Sequence, residues 1–81
     1  MLFITEYSVI GSRCTGTYLV NADTKKHAKN IVKKIDEDYC RVKAYTQKEL
    51  EEEEGINWSD LVDENVPILQ NGEVYLIECG T

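Results

Sequence analysis

The spacing of apolar residues changes along this chain, and that change limits the folds it can adopt. Residues 2–10 (LFITEYSVI) alternate and are rich in β-branched and aromatic side chains, which predicts a half-buried strand. Residues 11–14 supply turn chemistry, and the run TGTYLVNA that follows is extended again. The two runs are therefore expected to pair as an antiparallel hairpin.

The period then becomes helical over residues 24–35. One apolar stripe is formed by residues at positions i, i+3, i+4 and i+7, namely Ala28, Ile31, Val32 and Ile35. Asp23 or Thr24 is a natural N-cap for this helix. The outer face carries five lysines, which are Lys25, Lys26, Lys29, Lys33 and Lys34. The pattern predicts a helix that packs on a sheet and exposes a basic side.

A third strand and a short acidic helix are predicted next. Residues 39–46 (YCRVKAYT) alternate, with one polar face. Thr46 and Glu49 have capping-box spacing, and Gly55 can supply the left-handed residue after the last turn, so a helix is expected at about 47–54. Leu50 is its one inward anchor, and Trp58 is expected to tie the following segment to the sheet.

The C-terminal part is predicted to be a hairpin. Asn71-Gly72 suits a type I′ turn, because both central positions of that turn need positive φ. Pro67 cannot donate a ladder hydrogen bond, so residues 66–69 are expected to form an edge strand and residues 73–79 a more central one.

These elements fit one domain that covers residues 1–81. A chain of 81 residues that is 42% hydrophobic supports one small core. We expect an α+β fold with a four- to five-stranded, mostly antiparallel sheet. The main helix (about 24–35) covers one face, and the short acidic helix (about 47–54) is the second helical element.

No catalytic, cofactor or metal motif is found in the sequence. Cys14, Cys40 and Cys79 have no C-x-x-C spacing and are interpreted as reduced thiols. His27 is the only histidine and lies on the lysine-rich side of the first predicted helix. No Walker A loop, dinucleotide fingerprint or calcium loop is present. We therefore expect no cofactor, no metal and no enzymatic activity.

Charge is unevenly divided between the two halves of the chain. Residues 1–35 hold six Lys/Arg against two Asp/Glu, and residues 36–81 hold three against thirteen, so net charges of +4 and −10 sum to −6. This layout disfavours direct binding of nucleic acid or an anionic membrane and favours a basic partner. Eight carboxylates surround one tryptophan in residues 48–64. The predicted partner-binding residues are Glu49, Glu51, Glu52, Glu53, Glu54, Trp58, Asp60, Asp63 and Glu64.

The run TGTYLVNADTKKHAKNIVKKI, followed by an alternating strand, resembles the strand, A-D-T turn and helix of many small α+β proteins encoded by bacteriophages and prophages. The resemblance covers about residues 1–46 and carries no catalytic residues. Small acidic phage products of this kind often act by occupying a host protein, including the nucleic-acid channels of CRISPR effectors. The resemblance thus implies a phage-encoded protein that acts in the cytoplasm of a bacterial host.

Charge and resemblance together predict a non-enzymatic binding protein that inhibits a host protein by covering a basic surface. A defence factor or a nucleic-acid-processing factor would be such a target. Two alternatives remain open, namely an oligomer that sequesters a small ligand or nucleotide, and a small enzyme with a site shared between subunits. The apolar segment at the N-terminus is too short to span a bilayer. An edge strand of the sheet could pair two copies into a homodimer.

Overall fold

A computed structural model describes residues 1–9, 11, 15–35 and 40–80. In chain order the elements are β1 (Leu2–Val9), β2 (Thr15–Asn21), α1 (Lys25–Ile35), β3 (Cys40–Tyr45), α2 (Gln47–Glu53), α3 (Trp58–Leu61) and β4 (Val74–Gly80). The strands form one antiparallel sheet in the order β3-β1-β2-β4. The α+β prediction, with a four-stranded antiparallel sheet, is confirmed.

The first face of the sheet is covered by α1. Phe3 and Val20 are paired across β1 and β2, and both lie in a buried cluster with Ala28 and Val32 of the helix. Thr24 caps the helix, since its Oγ1 accepts a hydrogen bond from the His27 amide at 3.1 Å. Ile31 also packs against this cluster, as the stripe predicts. The prediction that the stripe reaches Ile35 is wrong, because that side chain is 47% exposed.

The second face of the sheet is covered by α2, α3 and the chain that follows them. Ile4 and Leu19 are paired across β1 and β2 and are almost completely buried. Leu50 of α2 joins the same cluster, against which Trp58 and Leu69 also pack. Trp58 therefore ties its segment to the sheet, as predicted from the sequence.

The C-terminal hairpin prediction is wrong in two respects. Residues 66–69 form no strand, and β4 is itself an edge strand that pairs with β2. Leu69 packs on the second face instead, and its carbonyl accepts a hydrogen bond from the Asn21 side chain at 2.8 Å. Residues 66–69 therefore cover the second face of the sheet and do not pair with a strand.

The Asn71-Gly72 turn exists but is not of type I′. Gly72 has φ of 90°, whereas no described residue other than glycine has positive φ. The Glu73 amide donates to the Gln70 carbonyl at 3.0 Å and closes the turn. Positive φ at the second central position alone is the pattern of a type II turn, whereas the turns that usually join hairpin strands are types I′ and II′.

Several predictions fall on other parts of the chain. The predicted turn at residues 12–14, the predicted strand residue Tyr39 and the cysteine side chains lie outside the described residues.

Within the described ranges, every helix is too short or too polar to cross a bilayer.

Gly16 marks a close approach between β2 and the ring of Tyr7. The two residues are opposite each other in the β1–β2 register, and the Tyr7 ring stacks on the Tyr18 ring with centroids 5.5 Å apart. A Cβ atom on Gly16 would lie 2.2 Å from Tyr7 Cε1. Glycine is therefore required here for steric reasons, because the ring occupies the position of a side chain.

Gly16→Ala is expected to lower the free energy of unfolding by about 1–3 kcal/mol, since the Tyr7 ring must leave its packed position. Urea denaturation measures this change. Gly16→Ala in a Tyr7→Leu background is the control, and its additional cost is expected to be much smaller. An equal cost in both backgrounds would contradict the steric explanation.

Candidate functional site

The predicted capping box fixes the start of α2. Thr46 Oγ1 accepts from the Glu49 amide, and Glu49 Oε1 accepts from the Thr46 amide, both at 3.2 Å. Lys25, at the start of α1, forms an ion pair with Glu49. The ion pair and the Thr46 amide hold the pKa of Glu49 below its ordinary value of 4.5, with the Lys25 hydrogen bond as the largest cause. The capping box and the ion pair therefore position α2 beside the end of β3.

A reversal of the chain connects α2 to α3. Gly55 has φ of 67°, as the sequence predicts, and the Ile56 amide donates to the Leu50 carbonyl at 3.2 Å. The Trp58 amide donates to Glu51 Oε2 at 3.1 Å, so a carboxylate of α2 caps the first turn of α3. Both short helices are thereby held together over the second face.

The exposed carboxylates of this region form what we call the acidic surface. Its members are Glu51, Glu52, Glu53, Glu54, Asp60, Asp63 and Glu64, all of which are exposed. None of them forms an ion pair with any described residue. Seven of the nine predicted residues are thus exposed on α2, α3 and the turn that follows them.

The other two predicted residues, Glu49 and Trp58, are half-buried. Glu49 is occupied by Lys25 and the capping box, and Trp58 packs against the core cluster of Ile4, Leu19, Tyr45 and Leu50. Both therefore have a structural role that the charge pattern alone does not indicate.

The acidic surface is curved because its residues are spread around α2. At about 100° per residue, Glu52 lies on the side of the helix opposite Leu50, whereas Glu51 and Glu53 lie toward its two flanks. Carboxylates thus lie on three sides of the helix, with Lys48 exposed beside Glu51 and Glu52. A concave partner surface would contact more of them than a flat one.

Some members of the acidic surface also stabilise the chain locally. Asp63 Oδ1 accepts from the Asn65 amide at 2.9 Å, and Glu51 caps α3 as described. Burial first, and the Glu54 charge second, raise the pKa of the Tyr45 phenol above its ordinary value of 10.0. Glu52, Glu53, Asp60 and Glu64 accept no hydrogen bond from another described residue and remain open to a partner.

A second feature is a cleft of about 420 Å³ on the sheet, which the sequence pattern does not indicate. Polar side chains from all four strands line it: Glu6, Ser8, Thr15, Thr17, Arg41, Lys43 and Glu78. The alternation in β3 does indicate that Arg41 and Lys43 share a polar face. It does not indicate the strand order, so the sequence gives no signal that these groups meet.

Comparisons with protein-family models, curated proteins and solved structures yield no match to this chain. Interpretation of the acidic surface and of the cleft therefore depends on their own geometry and charge.

The Lys25–Glu49 ion pair is expected to give a pH-dependent contribution to stability. A lowered pKa in the folded state means that the contribution is fully present above pH 4.5 and is lost as the pH falls through the lowered value. Urea denaturation of the native chain and of Glu49→Gln should therefore show a stability difference at neutral pH that vanishes in acid. Lys25→Gln should behave in the same way, and a difference that persists at low pH would contradict this assignment.

Glu54→Gln is expected to lower the pKa of Tyr45 toward 10.0 without reaching it, because burial of the ring remains. An NMR titration of the Tyr45 ring resonances measures this shift. Glu52→Gln is the matched control and should leave the Tyr45 pKa unchanged. An unchanged value in Glu54→Gln would show that Glu54 does not adjoin the phenol.

Proposed function

We propose that this chain is a non-enzymatic binding protein that uses its acidic surface to cover a basic surface on another protein. The observation that carries the proposal is the set of exposed carboxylates on α2, α3 and the following turn, none of which is paired with a described cation. Potential of one sign on one side of a small protein steers an oppositely charged partner toward that side.

Repulsion within α2 supports this proposal. Glu51 and Glu54 are spaced i, i+3, and a like-charged pair of this kind costs a helix a few tenths of a kcal/mol. Glu53 is spaced i, i+4 from Glu49, but Lys25 already offsets the charge of Glu49. Lys48, the one basic residue of α2, cannot offset all four carboxylates of residues 51–54. Lysines or arginines of a partner would remove the repulsion and gain charge-assisted hydrogen bonds.

The proposed consequence of binding is inhibition. A basic protein surface often serves to hold phosphate groups, and a curved acidic surface that occupies it excludes nucleic acid from the same place. Covering a nucleic-acid-processing or defence factor of a host cell is therefore the form of the proposal that agrees with the charge layout. Trp58 would contribute through its exposed part, next to the carboxylates.

An oligolysine peptide tests the localisation of binding. We expect Glu52→Gln with Glu53→Gln to weaken its binding by about threefold to tenfold at low salt, because exposed ion pairs contribute about 0.2–1 kcal/mol each. Isothermal titration calorimetry at several salt concentrations gives the affinities, and the difference should shrink as salt rises.

The matched control is Asp23→Asn with Glu73→Gln. Both residues are exposed and lie outside the acidic surface, and this variant has the same net charge as the first. Its affinity for oligolysine is expected to stay within about twofold of the native chain, since rim charges remote from a contact contribute little. Equal losses in the two variants would mean that net charge, and not the acidic surface, governs binding.

A further inference from the structure

We infer that the cleft on the sheet binds a short peptide through both of its charged termini. This goes beyond the proposed function, because the cleft residues lie outside the acidic surface. The volume of about 420 Å³ is within the range of about 300–1,000 Å³ that is usual for small-ligand sites. The strand register arranges charged groups and hydroxyls around that volume.

The register places the lining residues in two rows across the sheet. In the first row, Arg41 of β3 lies opposite Ser8 of β1, which lies opposite Thr15 of β2. In the second row, the residues follow in the order Lys43, Glu6, Thr17 and Glu78, from one edge strand to the other. Cations therefore lie on the β3 side of the cleft, and the outermost carboxylate lies on the β4 side.

The charges in the cleft balance, in contrast to those of the whole chain. Arg41 and Lys43 offset Glu6 and Glu78, whereas the chain carries −6. None of these four side chains forms an ion pair with any described residue. A ligand that carries one charge only would meet attraction at one end and repulsion at the other. A ligand with both charges would satisfy both ends.

The separation of the two ends selects an elongated ligand. Lys43 and Glu6 are neighbours, so their fields largely cancel in the middle of the cleft. Arg41 and Glu78 remain at opposite sides, on strands that are three steps of about 4.8 Å, or about 14 Å, apart. Side-chain length shortens this span. The charged groups of one free amino acid are too close together to reach both residues, whereas those of a peptide of a few residues are far enough apart.

The groups between the two ends suit a peptide backbone. Ser8, Thr15 and Thr17 are hydroxyl residues, and each hydroxyl can both donate and accept a hydrogen bond. Peptide amides offer the matching carbonyl and N–H groups. Arg41 would bind the terminal carboxylate with its planar donor fork, and Glu78 would accept from the terminal ammonium.

Triglycine is the probe, and its two blocked forms are the controls. N-acetyl-triglycine lacks the ammonium group, and triglycine amide lacks the carboxylate. Titration followed by ¹⁵N–¹H NMR is expected to shift the amide resonances of Ser8, Thr15, Thr17 and Arg41. Each blocked peptide should bind about tenfold more weakly, because hydrogen bonds between charged groups are the stronger class.

Two variants assign the ends. Arg41→Gln should bind triglycine no better than triglycine amide, and Glu78→Gln should bind it no better than N-acetyl-triglycine. Both residues are exposed, so the spectra of the variants should otherwise match the native spectrum. Glu52→Gln with Glu53→Gln should leave triglycine affinity unchanged, which separates this result from that of the acidic surface. Equal binding of the three peptides, shifts confined to α2, or no shift at millimolar peptide would overturn the inference.

Discussion

Burial of both faces of the β1–β2 pair is the interaction on which the rest of the structure depends. Phe3 and Val20 are buried on the side of α1, and Ile4 and Leu19 are buried on the side of α2. Because neighbouring residues of a strand face opposite ways, a chain of 81 residues thereby obtains a three-layered arrangement from two central strands. On the second face, α2, α3 and the chain that follows them cover only part of the sheet. The acidic surface lies on the solvent side of these covering elements. The cleft lies on the uncovered part of the same face, where polar residues of the strands take the place of apolar ones.

The sequence predicts elements that depend on local interactions and fails where tertiary contacts decide. Thr24, the capping box of Thr46 and Glu49, and the left-handed Gly55 act within a few residues, and all are found as expected. The segment before Asn71 has the sequence pattern of one strand of a hairpin. In the structure, Leu69 packs against the buried cluster of the second face, and the segment does not pair with a strand. The cleft could not be predicted, because it depends on the order of strands that are distant in the chain.

Charge has two roles in the C-terminal half. Glu49, Glu51 and Asp63 accept hydrogen bonds that position α2, α3 and the turn after α3. Glu52, Glu53, Asp60 and Glu64 make no such contact with the described residues and extend into solvent. Composition cannot separate these two groups, since all are acidic and close in sequence. The proposed partner would therefore be recognised by a smaller set of carboxylates than the sequence suggests, on a surface that is curved around a helix.

The central claim is that negative potential is concentrated on one side of the molecule, and it can be measured without any partner. Paramagnetic relaxation of amide protons by a cationic and an anionic nitroxide of similar size gives the near-surface potential at each residue. The potential is expected to be most negative at residues 51–54 and 58–64, and close to zero around the cleft. A similar potential at these residues and in the rest of the chain would contradict the claim.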